Sequence, residues 1–161
     1  GSLLAGVWLW LIHVSAAVLT ALLTRSTSSP EGRTSPSAPQ ALGSAFPGAV
    51  RGAGEGMLHV CGFVVFFLVL LRVLGRVTGL SHPVLSGAVE LTQGILALPA
   101  TPTGFVWAAA LLGWGGLSVH GQSAAVLSGT DLPLGPYLAA KAAQAALSAL
   151  LAWPVSRYLW G

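Results

Sequence analysis

Apolar residues fall along this chain in long runs rather than at the intervals of soluble amphipathic helices or strands. Runs approaching the roughly 20 residues that carry a helix across a bilayer predict membrane-spanning segments. The first extends from Leu3 to Leu23, with Trp8 and Trp10 near its start, as interfacial aromatics would be, and Arg25 closing it. No charged segment precedes it and it is long for a signal-peptide core, so it reads as a true span. From Arg25 to about Gly54 the composition turns to Ser, Thr, Pro and Gly, as in Ser26-Thr27-Ser28-Ser29-Pro30. Such a stretch buries too little apolar area to fold alone, and a flexible extramembrane loop is predicted over 25–54. Met57–Val77 is the second span, ending in Arg72 and Arg76, which can snorkel to a headgroup boundary.

The later part is less regular. Val84 to Leu98 is apolar but only about four helical turns long, too short to cross, and it contains Glu90 and two glycines. It predicts a re-entrant or half-helix segment over 84–98, stopped by Pro99 and Pro102. Phe105–Leu127 reads as a span interrupted by Gly113-Trp114-Gly115-Gly116-Leu117-Ser118-Val119-His120-Gly121-Gln122. Glycine lets backbone unwind, and unwound backbone at membrane depth requires protein or a water-filled cavity over it. A short loop follows, then a last span over Tyr137–Trp153 that Pro154 ends. Ala139, Ala142, Ala143 and Ala146 would let another helix approach it closely. The predicted fold is an all-α polytopic integral membrane protein with discontinuous segments. Its parts are a transmembrane helix (1–24), a loop (25–54) and a transmembrane unit (55–161).

Composition sharpens this. Of 161 residues, 54% are apolar and only 7% charged, with a mean hydropathy of +0.79. A soluble domain carries roughly 25% charge, so a soluble globular surface is excluded. The net charge of +3 comes from scattered basic residues and forms no nucleic-acid patch. The first loop carries Arg25, Arg33 and Arg51 against Arg72 and Arg76 opposite, which favours a cytoplasmic first loop. The single cysteine, Cys61, excludes an intrachain disulfide, and neither it nor His13 nor His59 has a partner at metal-ligand spacing. No cofactor or metal is expected. No nucleophile, phosphate loop or paired carboxylates point to catalysis, so no enzyme is expected. The Gly-Ser start points to a processed product or a piece of a longer protein.

Two polar groups stand out within the apolar segments. On a continuous helix Ser86, Glu90, Gln93 and Ala97 would share one face, with Gly87 and Gly94 beside it. A carboxyl at membrane depth is expensive, so Glu90 either couples a proton or cation, bonds a solute, or pairs with a cation such as Lys141. In the second group Ser118 and Gln122 share a face. His120 joins them only if the Gly115-Gly116 backbone is unwound. Freed amides and the positive end of a helix restarting near Ser118 would suit an anion. Close helix packing at the glycines and an interhelical bond from His120 are the alternative. Lys141 either snorkels or balances negative charge.

The run Gly113 to Gln122, followed by Leu132, Pro136-Tyr137 and Lys141, resembles the YlbJ-type sporulation integral membrane proteins, within the wider nucleoside-recognition or Gate domain group. Glu90-Leu91-Thr92-Gln93-Gly94 and Gly62-Phe63-Val64-Val65-Phe66 resemble further segments of that family, so the likeness covers roughly Gly62 to Trp153. Trp114 stands where Phe is expected. The resemblance implies a distant likeness to one half of a concentrative nucleoside transporter. It implies a transporter of a small anionic solute, dipicolinate, during spore formation, in a forespore membrane. A nucleoside-type permease and a non-transporting structural protein of the spore envelope are the alternatives. Members of the family are longer and carry two related halves, so a missing N-terminal half or a homo-oligomer would complete the path. On these grounds Glu90, Thr92, Gln93, Gly94, Gly115, Gly116, Ser118, His120, Gln122 and Lys141 are the expected solute-binding residues.

Overall fold

The computed structural model describes residues 3–24, 42–79, 82–128 and 130–161. Among them the order is α1 (Leu3–Thr24), α2 (Leu42–Thr78), α3 (Pro83–Val89), α4 (Leu91–Ala97), α5 (Pro102–Trp114), α6 (Gly116–Leu127) and α7 (Leu134–Trp160). Among the described residues three segments are long and apolar enough to cross a membrane: Leu3–Thr24, Phe46–Thr78 and Leu134–Trp160. The chain is an all-α integral membrane protein.

The core lies where α1, α5 and α7 meet. Ile12, Phe105, Ala109 and Ala152 form it, bordered by Trp8, Leu9, Val155 and Leu159. α5 and α7 run antiparallel, because Gly113 faces Ala145 while Phe105 packs on Trp160 with ring centroids 5.6 Å apart. The approach at Gly113 is very close: a methyl group there would lie 2.7 Å from Ala145 Cα. Small residues let backbones meet, which matters in lipid, where association depends on packing rather than on expelling water.

α3 and α4 have seven residues each, about 10 Å of helix at 1.5 Å per residue, so neither crosses the bilayer. They fold back on each other. A Cβ on Gly94 would collide with the Gly87 backbone and stand 2.9 Å from Pro83 O. The pair is therefore a short helical hairpin with Glu90 at its tip. α5 begins with Thr101 as cap, its Oγ1 accepting from Gly104 N at 3.1 Å. After Trp114 the chain breaks at Gly115 and α6 turns away from α7 toward α2.

Four expectations need correction. Residues 42–54, assigned to the loop, belong to α2; residues 25–41 lie outside the described residues. Glycine costs a helix about 1 kcal/mol per residue relative to alanine, but a backbone N–H without a partner in lipid costs several. The helix therefore continues through Gly48, Gly52, Gly54 and Gly56. The last span does not stop at Pro154: α7 runs on to Trp160. One proline removes one hydrogen bond, while Trp160 stacks on Phe105 and buried Ser156 donates to Trp153 O at 2.7 Å. The interrupted span begins at Pro102 rather than Phe105. Finally, Ser86, Glu90, Gln93 and Ala97 do not share one helical face, because the helix breaks at Glu90, which is extended with φ −134° and ψ 111°.

Candidate solute site

Glu90 makes the hairpin. Its backbone N–H donates to Ser86 O at 2.7 Å and ends α3. Its carboxylate begins α4, with Oε1 accepting from Thr92 N at 3.2 Å and Oε2 from Gln93 N at 2.9 Å. A carboxylate at a helix N-terminus satisfies two donors left over there and interacts well with the helix dipole. The side chain is only 2% exposed. Lys141 does not pair with it; the Lys141 ammonium donates to Gln144 Oε1 at 2.9 Å.

The hairpin tip rests on the break of the other discontinuous element. Gly115 and Gly116 both take positive φ, 93° and 82°, a region that residues with a Cβ enter at a cost. A methyl group on Gly116 would stand 3.1 Å from Leu91 N and 3.3 Å from both Gly87 O and Val89 O. The indole of Trp114 donates from Nε1 to Ala88 O at 3.1 Å and ties the break to α3. Two interruptions thus cover each other's exposed backbone, the condition for irregular backbone at membrane depth. Lys141 reaches the same place: a methyl group on Gly115 would lie 3.7 Å from its Cε. α6 starts there without a side-chain cap.

One turn further on, the side chains diverge. α6 is helical from Gly116, so Ser118, His120 and Gln122 do not converge as an unwound segment would allow. Ser118 is buried at 1% exposure. His120 packs edge-on against Trp114, with centroids 4.3 Å apart, and its Nδ1 lies 3.2 Å from Tyr137 Oη. Tyr137 Oη in turn lies 3.0 Å from Ser123 Oγ, giving a chain of imidazole, phenol and hydroxyl between α6 and α7. Among the described residues the other imidazole nitrogen of His120, Nε2, is buried without a hydrogen-bond partner, as are His13 Nδ1 and Ser148 Oγ. Gln122 faces a cleft of about 870 Å³ between α2 and α6, which Tyr137, Ser123, His59 and Cys61 also line.

The expected residues therefore sort into three places. Glu90, Gly115, Gly116 and Lys141 meet at the crossing of the two breaks, with Gly94 holding the hairpin closed behind them. Ser118 and His120 sit in the first turns of α6 and Gln122 in the α2–α6 cleft. Thr92 and Gln93 are exposed on α4, and Gln93 faces α2 instead of the crossing. Sequence reasoning gave no role to Ser123, nor any bonding role to Tyr137 or Trp114. Their spacing of 14 and 26 residues from their partners carries no local periodic signal.

With this geometry in hand, one comparison is informative. The chain is 30% identical to the sporulation integral membrane protein YlbJ of Bacillus subtilis over 146 aligned residues, covering 74% of this chain. The chain is YlbJ-like over that stretch. It spans 36% of the length of the YlbJ relative. No protein-family model and no solved structure matches it significantly.

Proposed function

We propose that this YlbJ-like chain forms part of a membrane transporter for a small anionic solute, acting in spore formation at a forespore membrane. The observation that carries the reading is the meeting of two discontinuous elements, the Glu90 hairpin and the Gly115–Gly116 break, inside the membrane-embedded unit. Transporters place solutes at such breaks near the bilayer midplane, where helix termini and open backbone supply charge and hydrogen bonds. Here the start of α6 carries no side-chain cap, and the dipole of that twelve-residue helix favours negative charge. The Lys141 side chain stands beside Gly115, its Cε 3.7 Å from a methyl group placed there, and brings a basic nitrogen to the same region. His120 Nε2 adds a buried polar atom with no partner among the described residues. Dipicolinate, an aromatic dicarboxylate, is the first candidate solute and follows from the resemblance. Glu90 serves this site by holding the hairpin tip, since both its oxygens are already engaged.

A second reading has support of its own. Trp114 to Ala88, and His120 to Tyr137 to Ser123, are helix-to-helix bonds of the kind that glue a scaffold. Ligand-dependent melting of the purified chain separates the two. A ligand that binds the folded state raises Tm with concentration. Dipicolinate is expected to raise Tm, and His120→Ala and Lys141→Gln are expected to abolish the rise. A rise with nucleosides alone would reassign the solute. No rise with either, in a folded sample, supports the scaffold and overturns transport.

A further inference from the structure

We propose that the cleft between the end of α2 and the outer side of the hairpin is a binding site for an anionic phospholipid, with its phosphate held by Arg72 and Arg76. This does not rest on the transport reading. The cleft measures about 350 Å³, and Arg72 and Arg76 line it together with Ser86 from α3 and Gln93 from α4. The two guanidinium groups are one turn apart on α2 and share a face. Among the described residues neither has a carboxylate partner, and Glu90, the acid of the hairpin, is turned into the cap of α4. Guanidinium forks match phosphate oxygens in shape and charge. The Ser86 hydroxyl and Gln93 amide complete a polar wall, which explains why Gln93 lies away from the break.

A lipid rather than a free anion is indicated by what adjoins the cleft. A second hollow, also about 350 Å³, shares Leu71 and Ser86 with the first and is walled by Leu74, Leu85, Val89 and Leu117. A cationic cleft opening into an apolar groove has the shape of an amphiphile. Depth agrees: Arg72 lies six residues before the end of α2 at Thr78, about 9 Å at 1.5 Å per residue, within the snorkelling range of arginine. Val65, Phe66, Val69 and Val73 of the same helix are exposed and apolar, as a lipid-facing surface requires. Basic pockets between transmembrane helices are recognised sites for anionic headgroups.

The test is native mass spectrometry of the full chain, exchanged from detergent into equimolar phosphatidylglycerol and phosphatidylcholine, with inorganic phosphate as a separate arm. Wild type is expected to retain phosphatidylglycerol preferentially. Each basic residue near a charged surface contributes about fivefold, so R72Q/R76Q is expected to cut the preference by about 30-fold. R72K/R76K keeps the charge and is expected to retain most of it, and R157Q, on α7 and outside the lining of the cleft, is expected to retain all of it. Three results would each overturn the proposal. These are no preference in wild type, equal loss in R157Q, and full displacement of the lipid by millimolar phosphate, which would make the cleft a small-anion site. If R72Q/R76Q aggregates, competition between the two lipids on wild type with Ser86→Leu, which fills the junction of cleft and groove, decides instead. Unchanged preference in that variant counts against the site.

Discussion

Substituting the two glycines at the break one at a time measures how hard the hairpin presses on it. Gly115 and Gly116 share the cost of a positive φ, which for alanine is about 1–2 kcal/mol. They differ in space. A Cβ at Gly115 meets nothing nearer than Lys141 Cε and the Val119 side chain at 3.7 Å, which is ordinary contact. A Cβ at Gly116 meets backbone at 3.1–3.3 Å on three sides, Leu91 N, Gly87 O and Val89 O. Backbone cannot swing aside as a side chain does, so overpacking adds about 1–3 kcal/mol. Gly115→Ala is therefore expected to cost about 1–2 kcal/mol and Gly116→Ala about 2–5 kcal/mol. Gly115→Asn should recover part of the loss, because Asn tolerates the left-handed region. Gly62→Ala, in exposed α2 with no atom within 4 Å of its Cβ, is the control and should be neutral or slightly stabilising. Equilibrium unfolding in mixed micelles of the four variants gives the differences directly. If Gly116→Ala is no worse than Gly115→Ala, the hairpin does not bear on the break, and the covering of one interruption by the other is wrong.

Glu90→Ala removes the cap of α4 and should cost about 0.5–2 kcal/mol in the same unfolding assay. Glu90→Gln keeps one acceptor oxygen and should cost less, and equal losses would mean that capping is not its role. Tyr137→Phe should lose about 1 kcal/mol, and Ser123→Ala should add little on top of it, because both changes break the same chain of bonds. Fully additive losses would separate the two hydroxyls. Gly113→Ala pushes α5 off α7, since its methyl would stand 2.7 Å from Ala145 Cα and 2.9 Å from Gln144 O. It should lower Tm, whereas Gly56→Ala should leave it unchanged; equal Tm for both would refute the close crossing.

The break in the span was legible because two adjacent glycines in an apolar run have few other uses, and their positive φ is the local reason they are there. The weight placed on Glu90 was legible from cost alone, since a carboxyl at membrane depth is kept only for a purpose. Its purpose was not legible. The face drawn through Ser86, Glu90 and Gln93 assumed an unbroken helix, and Glu90 itself breaks it by drawing Thr92 N and Gln93 N to its side chain. The extent of α2 and α7 was misread because propensities measured in water overstate what glycine and proline do where backbone groups have no water to fall back on. The bonds of Tyr137 and Trp114 to distant helices were invisible because only tertiary packing brings the partners together.

The hairpin divides the functional residues, and this connects the two proposed sites. One side of it faces the break at Gly116 through the backbone of Gly87, Val89 and Leu91. The other presents Ser86 and Gln93 to Arg72 and Arg76. α3 and α4 meet so closely at Gly87 and Gly94 that a shift of one would press on the other, so the pair packs as a unit. Gln93 and Glu90 are bonded within that unit, so whatever draws on Gln93 from the lipid side also draws on the tip that covers the break. A ligand alters such an equilibrium only by its differential affinity for the two positions of the element. Phosphatidylglycerol bound at Arg72 and Arg76 should therefore change the apparent affinity for dipicolinate if the hairpin is what moves. By linkage, dipicolinate should change retention of the lipid by the same factor. Equal dipicolinate affinity in phosphatidylglycerol and phosphatidylcholine bilayers, with both ligands bound, would show that the hairpin is a fixed wall between two independent sites.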